Sequence, residues 1–215
     1  MDRKIDVQHI SQQAMDAANI IFAQNGYNIR VQTLTEADIR WCIAIQRDLP
    51  EMYRLPWDHS GTVLNDPDTF LFSFKIVDVE WRPAGACVFQ YCPAINDGFP
   101  FLNLEMIQNF HLQNSVLDGN TLRFALYIAV LFMTDTRCGG LRLMFPVNTE
   151  VAEYYMQQYG FIDLTDGEKA ILYRDANSLF EWFQRDKQPV EDVQQLNDNA
   201  ATENRAGGKN GNNNA

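Results

Sequence analysis

The 215-residue chain has only four cysteines and three histidines. Cys42, Cys87, Cys92 and Cys138 are scattered, as are His9, His59 and His111, and no CxxC or Cys/His cluster has a zinc-like spacing. Reduced thiols and no metal are therefore expected. Long apolar runs are missing too: the longest, residues 124–133, is about half the roughly 20 residues that a membrane span requires. Residues 1–13 are polar and lack the apolar core of a secretory signal, so a cytoplasmic protein with no membrane partner is expected. Basic residues are also scarce, with 17 Lys plus Arg against 28 Asp plus Glu and a net charge of −11. Such a surface is poorly suited to neutralising phosphates, so no nucleic-acid partner is expected and cationic or amine-bearing partners are favoured.

What the chain does have is apolar and aromatic mass. Hydrophobic residues make up 46%, including 14 Phe, 8 Tyr and 4 Trp, enough to repay the entropy of folding one sizeable domain. Residues 188–215 carry no aromatic side chain, and burial cannot order them. They read as a flexible polar tail. At the other end Ile10, Ala14, Ala17 and Ile21 recur at spacings of three and four, which predicts an amphipathic helix ending near Asn25-Gly26. Residues 1–27 thus form an added helical extension, and residues 28–187 the main domain.

Within that domain residues 28–32 are a strand signal, and Thr35 followed by Glu36 and Asp38 marks a helix start. Residues 69–77 and 85–91 read as two strands of a hairpin, and residues 102–110 as a third. Residues 121–134 are apolar nearly all round and predict a helix buried against a sheet. A strand at 141–145, a helix at 150–158, strands at 161–164 and 170–173 and a helix at 177–184 complete the order. This is an α/β (α+β) pattern: one mixed, mostly antiparallel central sheet of about six to seven strands flanked by helices.

Residues 141–161, LRLMFPVNTEVAEYYMQQYGF, are the most specific segment. With Asn148, Ala152, Tyr155 and Gly160-Phe161 it resembles the strand-to-helix end of the GNAT superfamily of N-acyltransferases, and the element order over residues 29–175 is similar to that fold. The resemblance implies an acetyl-CoA donor, a primary amine acceptor, and no metal. It also implies a coenzyme A pyrophosphate loop of the form Q/R-x-x-G-x-G/A, which needs free backbone N–H groups at the positive end of a helix dipole. The matching segment is Val116-Leu-Asp118-Gly119-Asn120-Thr121. Gly119 fits, Val116 and Thr121 replace the family's other anchors, and Asp118 sets a carboxylate where a phosphate should lie. The same residues also read as a turn in which Asn120 caps the following helix.

Glu105 stands 14 positions before Gly119, where some members of the superfamily carry a general base. Strand alternation puts Asn103, Glu105, Ile107, Asn109 and His111 on one face and Leu102, Leu104, Met106, Gln108 and Phe110 on the other. In the family's mechanism a backbone N–H near Phe110 or His111 would meet the thioester oxygen. Tyr155 would protonate the departing thiolate, and Asn148 would hold the pantetheine arm. Tyr155 lies seven residues after Asn148 as in the family, but five rather than four before Gly160, which leaves Met156 and Tyr154 as contenders. Asn148 also suits an ordinary helix cap. On the acceptor side Tyr53 and Trp57 would form an apolar or cation-binding wall, with Asp58 and Glu51 to hold an ammonium group. The altered loop and the added terminal segments support a second reading, a GNAT-shaped scaffold that no longer catalyses and works in a larger assembly.

Overall fold

Four of the helices start on a polar side chain that accepts a hydrogen bond from their own first turn. In the computed structural model, which describes residues 5–51, 54–58, 70–78, 83–96, 98–111 and 115–187, α1 spans Val7–Gln24 and is capped by Asp6. α2 (Glu36–Ile45) opens with a reciprocal box between Thr35 and Asp38. Asp38 also accepts from Lys75 Nζ at 2.8 Å, which ties α2 to the sheet. The predicted tail, the turn of the first hairpin, Tyr53 and His59 lie outside the described residues.

The strands are β1 (Arg30–Thr33), β2 (Leu71–Val77), β3 (Pro83–Cys92), β4 (Phe101–Asn109), β5 (Gly140–Met144), β6 (Ile162–Asp163) and β7 (Ile171–Asp175). They form one seven-stranded sheet in the order β1-β2-β3-β4-β5-β7-β6. Every pairing is antiparallel except β4 with β5. The crossover between those two is α3 (Thr121–Thr136), whose near-continuous burial explains its all-round apolar sequence. α4 (Thr149–Tyr159) and α5 (Ala176–Asp186) follow.

The two faces of the sheet carry separate cores. The larger one gathers Phe22 of α1, Phe124 and Phe132 of α3, Ala152 of α4 and Phe183 of α5 against Phe72, Phe89, Leu102 and Leu104. α1 is thus part of the same core as the sheet, and its Asn19 side chain donates to Val31 O and accepts from Val31 N on edge strand β1. The smaller core, under α2, joins Ile39, Cys42 and Trp57 to Ala86, Val88, Met106 and Phe110.

Two irregularities of β4 shape everything downstream. Val88 pairs with Met106 but Phe89 pairs with Leu104, so Glu105 is an extra residue opposite no partner, a β-bulge. The ladder to β5 runs only from Phe101–Gly140 to Leu104–Leu143, after which β4 continues to Asn109 without it. The bulge corrects the expected alternation. Leu102, Leu104 and Ile107 pack on the large core, whereas Met106 and Phe110 pack on the small one. One added residue exchanges the faces of everything that follows it.

Candidate active site

Beyond Leu104 and Leu143 the diverging strands enclose a cavity of about 190 Å³. Its walls are Leu104, Glu105, Met106 and Ile107 of β4, Leu143 to Val147 on and after β5, Leu55, and Val151 and Tyr155 of α4. The structure thus brings Glu105 and Tyr155 together on one cavity. Of the three contenders for the tyrosine position, Tyr155 and Met156 both pack against the large core, Tyr154 donates its hydroxyl to Gly119 O at 3.0 Å, and Tyr155 alone lines the cavity. Burial first, then the neighbouring Cys87 and Tyr154, push the Tyr155 hydroxyl up to about 12. Its hydroxyl has no hydrogen-bond partner among the described residues and is not sealed from the cavity.

The mouth of the cavity is apolar. Phe145 is 72% exposed in a left-handed conformation, with φ at 48°, and Val147 beside it is also exposed. Asn148 begins α4 and accepts from Val151 N at 2.8 Å, so its side-chain oxygen serves as the cap. Its amide nitrogen and the second lone pair of that oxygen are not used by the cap.

On the other side of the gap lies the loop before α3. Leu117 is fully buried and Thr121 nearly so, and both press on Gly85 of β3, where an added Cβ would come within 3.1 Å of Thr121 and 3.2 Å of Leu117. Gly85 therefore lets the loop lie flat on the sheet. Asn109 Nδ2 and Thr121 Oγ1 both donate to Leu117 O at 3.1 Å and hold the turn closed. Gly119 has φ at 71° and open space around it, which suits a residue whose backbone must be approached closely. Asn120 occupies the N-cap position but does not cap. Its amide donates backwards to Val116 O and Asp118 O, and no side chain accepts from the first turn of α3. The expected Asn120 cap is thus absent, and the first-turn N–H groups at Thr121, Leu122 and Arg123 keep no intrahelical partner. Val116 is exposed. The Asp118 carboxylate turns toward β4, 3.4 Å from Asn109 Nδ2 and 3.5 Å from His111 Nδ1.

Two expectations need correction. The backbone N–H groups of Phe110 and His111 are already engaged, the first with Ala84 O at 3.0 Å and the second with Asn109 Oδ1 at 2.7 Å. Since Phe110 N–H points to β3, alternation turns the N–H groups of Asn109 and Ile107 toward the β5 side, where the ladder has ended. The resemblance places the amide at the end of the strand, near Phe110 or His111, and the bulge that sets the phase of the N–H groups has no signal in the sequence. Second, Trp57 is no exposed wall: it is 0% exposed, and its indole N–H donates to Gln108 Oε1 at 2.5 Å. A large apolar ring next to a strand with room beneath it buries itself. By doing so it anchors the 54–58 segment to β4. Asp58 beside it is exposed, and Leu55 lines both the cavity between the strands and a neighbouring one of about 450 Å³ that also touches Arg47, Glu51, Arg54 and Asp58.

The cysteines are ill suited to nucleophilic chemistry. Burial pushes Cys42 up to about 12, Cys138 up to about 11 and Cys87 higher still, so these thiols stay protonated at neutral pH. Among the described residues no group of three His, Cys, Asp or Glu is placed to hold a metal ion, and no helix is long and apolar enough to cross a membrane.

No protein-family model and no curated protein sequence matches the chain. Solved structures do. AtaTR bound with AcCoA superposes with a TM-score of 0.53 at 17% identity, over 73% of this chain and 98% of that one. A spermidine N-acetyltransferase SpeG chimera from Vibrio cholerae and hSSAT gives 0.52 at 14%, over 72% and 99%. Arabidopsis thaliana NAA60 in complex with acetyl-CoA gives 0.52 at 13%, over 69% and 99%. A KacTA–DNA complex reaches 0.52 at 14%, over 73% and 99%. The chain has the GNAT fold, that of the N-acetyltransferases AtaT, SpeG and NAA60, with α1 added at its start.

Proposed function

We propose that the protein is a coenzyme-A-dependent N-acyltransferase that moves an acetyl group from acetyl-CoA to a primary amine. The observation that carries this reading is the cavity between β4 and β5, with a carboxylate, Glu105, on one wall and a protonated phenol, Tyr155, on another. A donor thioester supplies an activated acetyl group, and the chain's own residues do the rest. Glu105, through a water, takes a proton from the acceptor ammonium so that the neutral amine can attack. The N–H groups of Ile107 and Asn109 are directed to meet the oxyanion. Tyr155, held neutral by burial, returns a proton to sulfur.

Donor binding is supported by a second set of features. Gly119 and the uncapped first turn of α3 offer N–H groups to a diphosphate, and Phe145 and Val147 offer an apolar edge to the pantetheine arm. Asp118 opposes the diphosphate electrostatically, and its contacts with Asn109 and His111 draw the carboxylate toward the end of β4. The acceptor would approach past Leu55 from the cavity that holds Glu51 and Asp58. With a net charge of −11 a cationic small molecule or protein amine is favoured over nucleic acid.

Calorimetric titration with acetyl-CoA tests the proposal: saturable binding is expected, and none at millimolar donor would end it. Replacing Glu105 by Gln should lower turnover on the order of 10²-fold while donor affinity stays at its original value. Equal turnover in that variant would remove Glu105 from the mechanism. Free-thiol release across a panel of amines, a basic peptide and an aminoacylated RNA identifies the acceptor class.

A further inference from the structure

Glu105 is the bulged residue of β4, so the ladder that aligns its neighbours does not align it. One side chain does so instead: Asn103 Nδ2 donates to Glu105 Oε1 at 3.0 Å, and among the described residues no other hydrogen bond reaches that carboxylate. A carboxylate only accepts, which settles the orientation of the Asn103 amide with its nitrogen toward Glu105. The other end of the amide is then a liability. Asn103 is 7% exposed, lies between Gln90 of β3 and Arg142 of β5, and its Oδ1 is sealed from solvent with no partner. It is the one buried side-chain polar atom left unsatisfied among the described residues. A buried acceptor without a donor opposes folding, and an apolar side chain at this position would remove that cost. The arrangement makes sense through what the nitrogen does.

We infer that Asn103 is a positioning residue that fixes the Glu105 carboxylate toward the cavity, at the expense of stability. The inference rests on the reading of Glu105 as the base. Asn103 does not itself line the cavity; it replaces the orientation that a regular strand would have imposed. A freely rotating carboxylate on a bulge would spend most of its time off the line to the amine, and misplacement by about an ångström costs on the order of 10²-fold in rate.

The test compares the full-length protein with N103L, N103S, E105Q and the double variant N103L/E105Q. Free-thiol release from acetyl-CoA is followed with spermidine, an aminoglycoside and a lysine-containing peptide as probes, beside donor affinity and melting temperature. With the fastest of these amines, N103L should lose roughly ten- to a hundredfold in kcat with the KM for acetyl-CoA unchanged. Its melting temperature should equal or exceed that of the wild type. N103S, which keeps a hydroxyl donor, should recover part of the loss. In the E105Q background N103L should cost nothing further, since both changes act on one group. Turnover of N103L within twofold of wild type, an undiminished loss in the E105Q background, or a lower melting temperature with weaker donor binding would overturn the inference. If N103L does not fold, N103S and N103A carry the same comparison. A wild-type protein that neither binds acetyl-CoA nor acetylates any of the amines refutes the transferase reading itself, whereas an active wild type with an equally active N103L refutes only the role of Asn103.

Discussion

Two helices begin beside the gap between β4 and β5, and they begin differently. α4 starts on Asn148, whose side chain accepts from Val151 N, as Asp6, Thr35 and Asp175 do for α1, α2 and α5. α3 starts on Asn120, whose amide faces backwards and leaves the first turn open. Both positions carry the same residue type, so intrinsic capping preference cannot account for the contrast. The difference lies in the loop: Leu117 and Thr121 press onto Gly85, Gly119 turns left-handed, and Asn120 is drawn into bonding its own loop carbonyls. One N-terminus is closed by its own side-chain cap, and the first turn of the other has none.

Gly119→Leu places a side chain at φ 71° directly over the open turn, and should weaken acetyl-CoA binding on the order of ten- to a hundredfold while the fold persists. Unchanged affinity in calorimetry would show that the α3 turn holds no phosphate. Tyr155→Phe should cost about tenfold in turnover. Because burial raises the Tyr155 pKa to about 12, the hydroxyl stays protonated through neutral and mildly alkaline pH. The stability it contributes is complete below its ordinary pKa of about 10 and is lost as pH rises toward the raised value. A fall in turnover near pH 9 that disappears in Tyr155→Phe would contradict this.

Smaller effects sharpen the contrast between the two asparagines. Asn148→Ala should destabilise by about 1 kcal/mol in denaturant titration, the usual cost of a lost cap. Asn120→Ala should stay within about 0.5 kcal/mol of wild type, as expected where no cap exists to lose. Equal losses would mean that the two starts are equivalent after all. Smallest of all, Asp118→Asn should tighten acetyl-CoA binding about two- to threefold at low ionic strength, with the gain shrinking as salt is raised.

Much of the architecture was readable along the chain because its signals are local. Thr35 with Asp38 announces α2, Asn25-Gly26 ends α1, and residues 121–134 are too uniformly apolar for a surface helix. The candidate site was readable only in part. The spacing leaves Tyr155, Met156 and Tyr154 open, and of the three only Tyr155 lines the cavity between the strands. Trp57 looked like a pocket wall because a loop between prolines gives no sign of which side chain will find a partner, and that partner, Gln108, is 51 residues away. Asn103 shares the face of Glu105 by strand alternation, but no sequence pattern shows that its amide reaches that carboxylate.

Caps, apolar periodicity and turn residues act over three or four positions, and so the amino acids alone settled which segments became helices and strands and in what order. Strand pairing works over distances no local pattern encodes. The bulge at Glu105, the early end of the β4–β5 ladder and the direction of the Ile107 and Asn109 amides all follow from it. A single extra residue in one ladder inverts the facing of every side chain after it, and only the neighbouring strands can say where that residue falls.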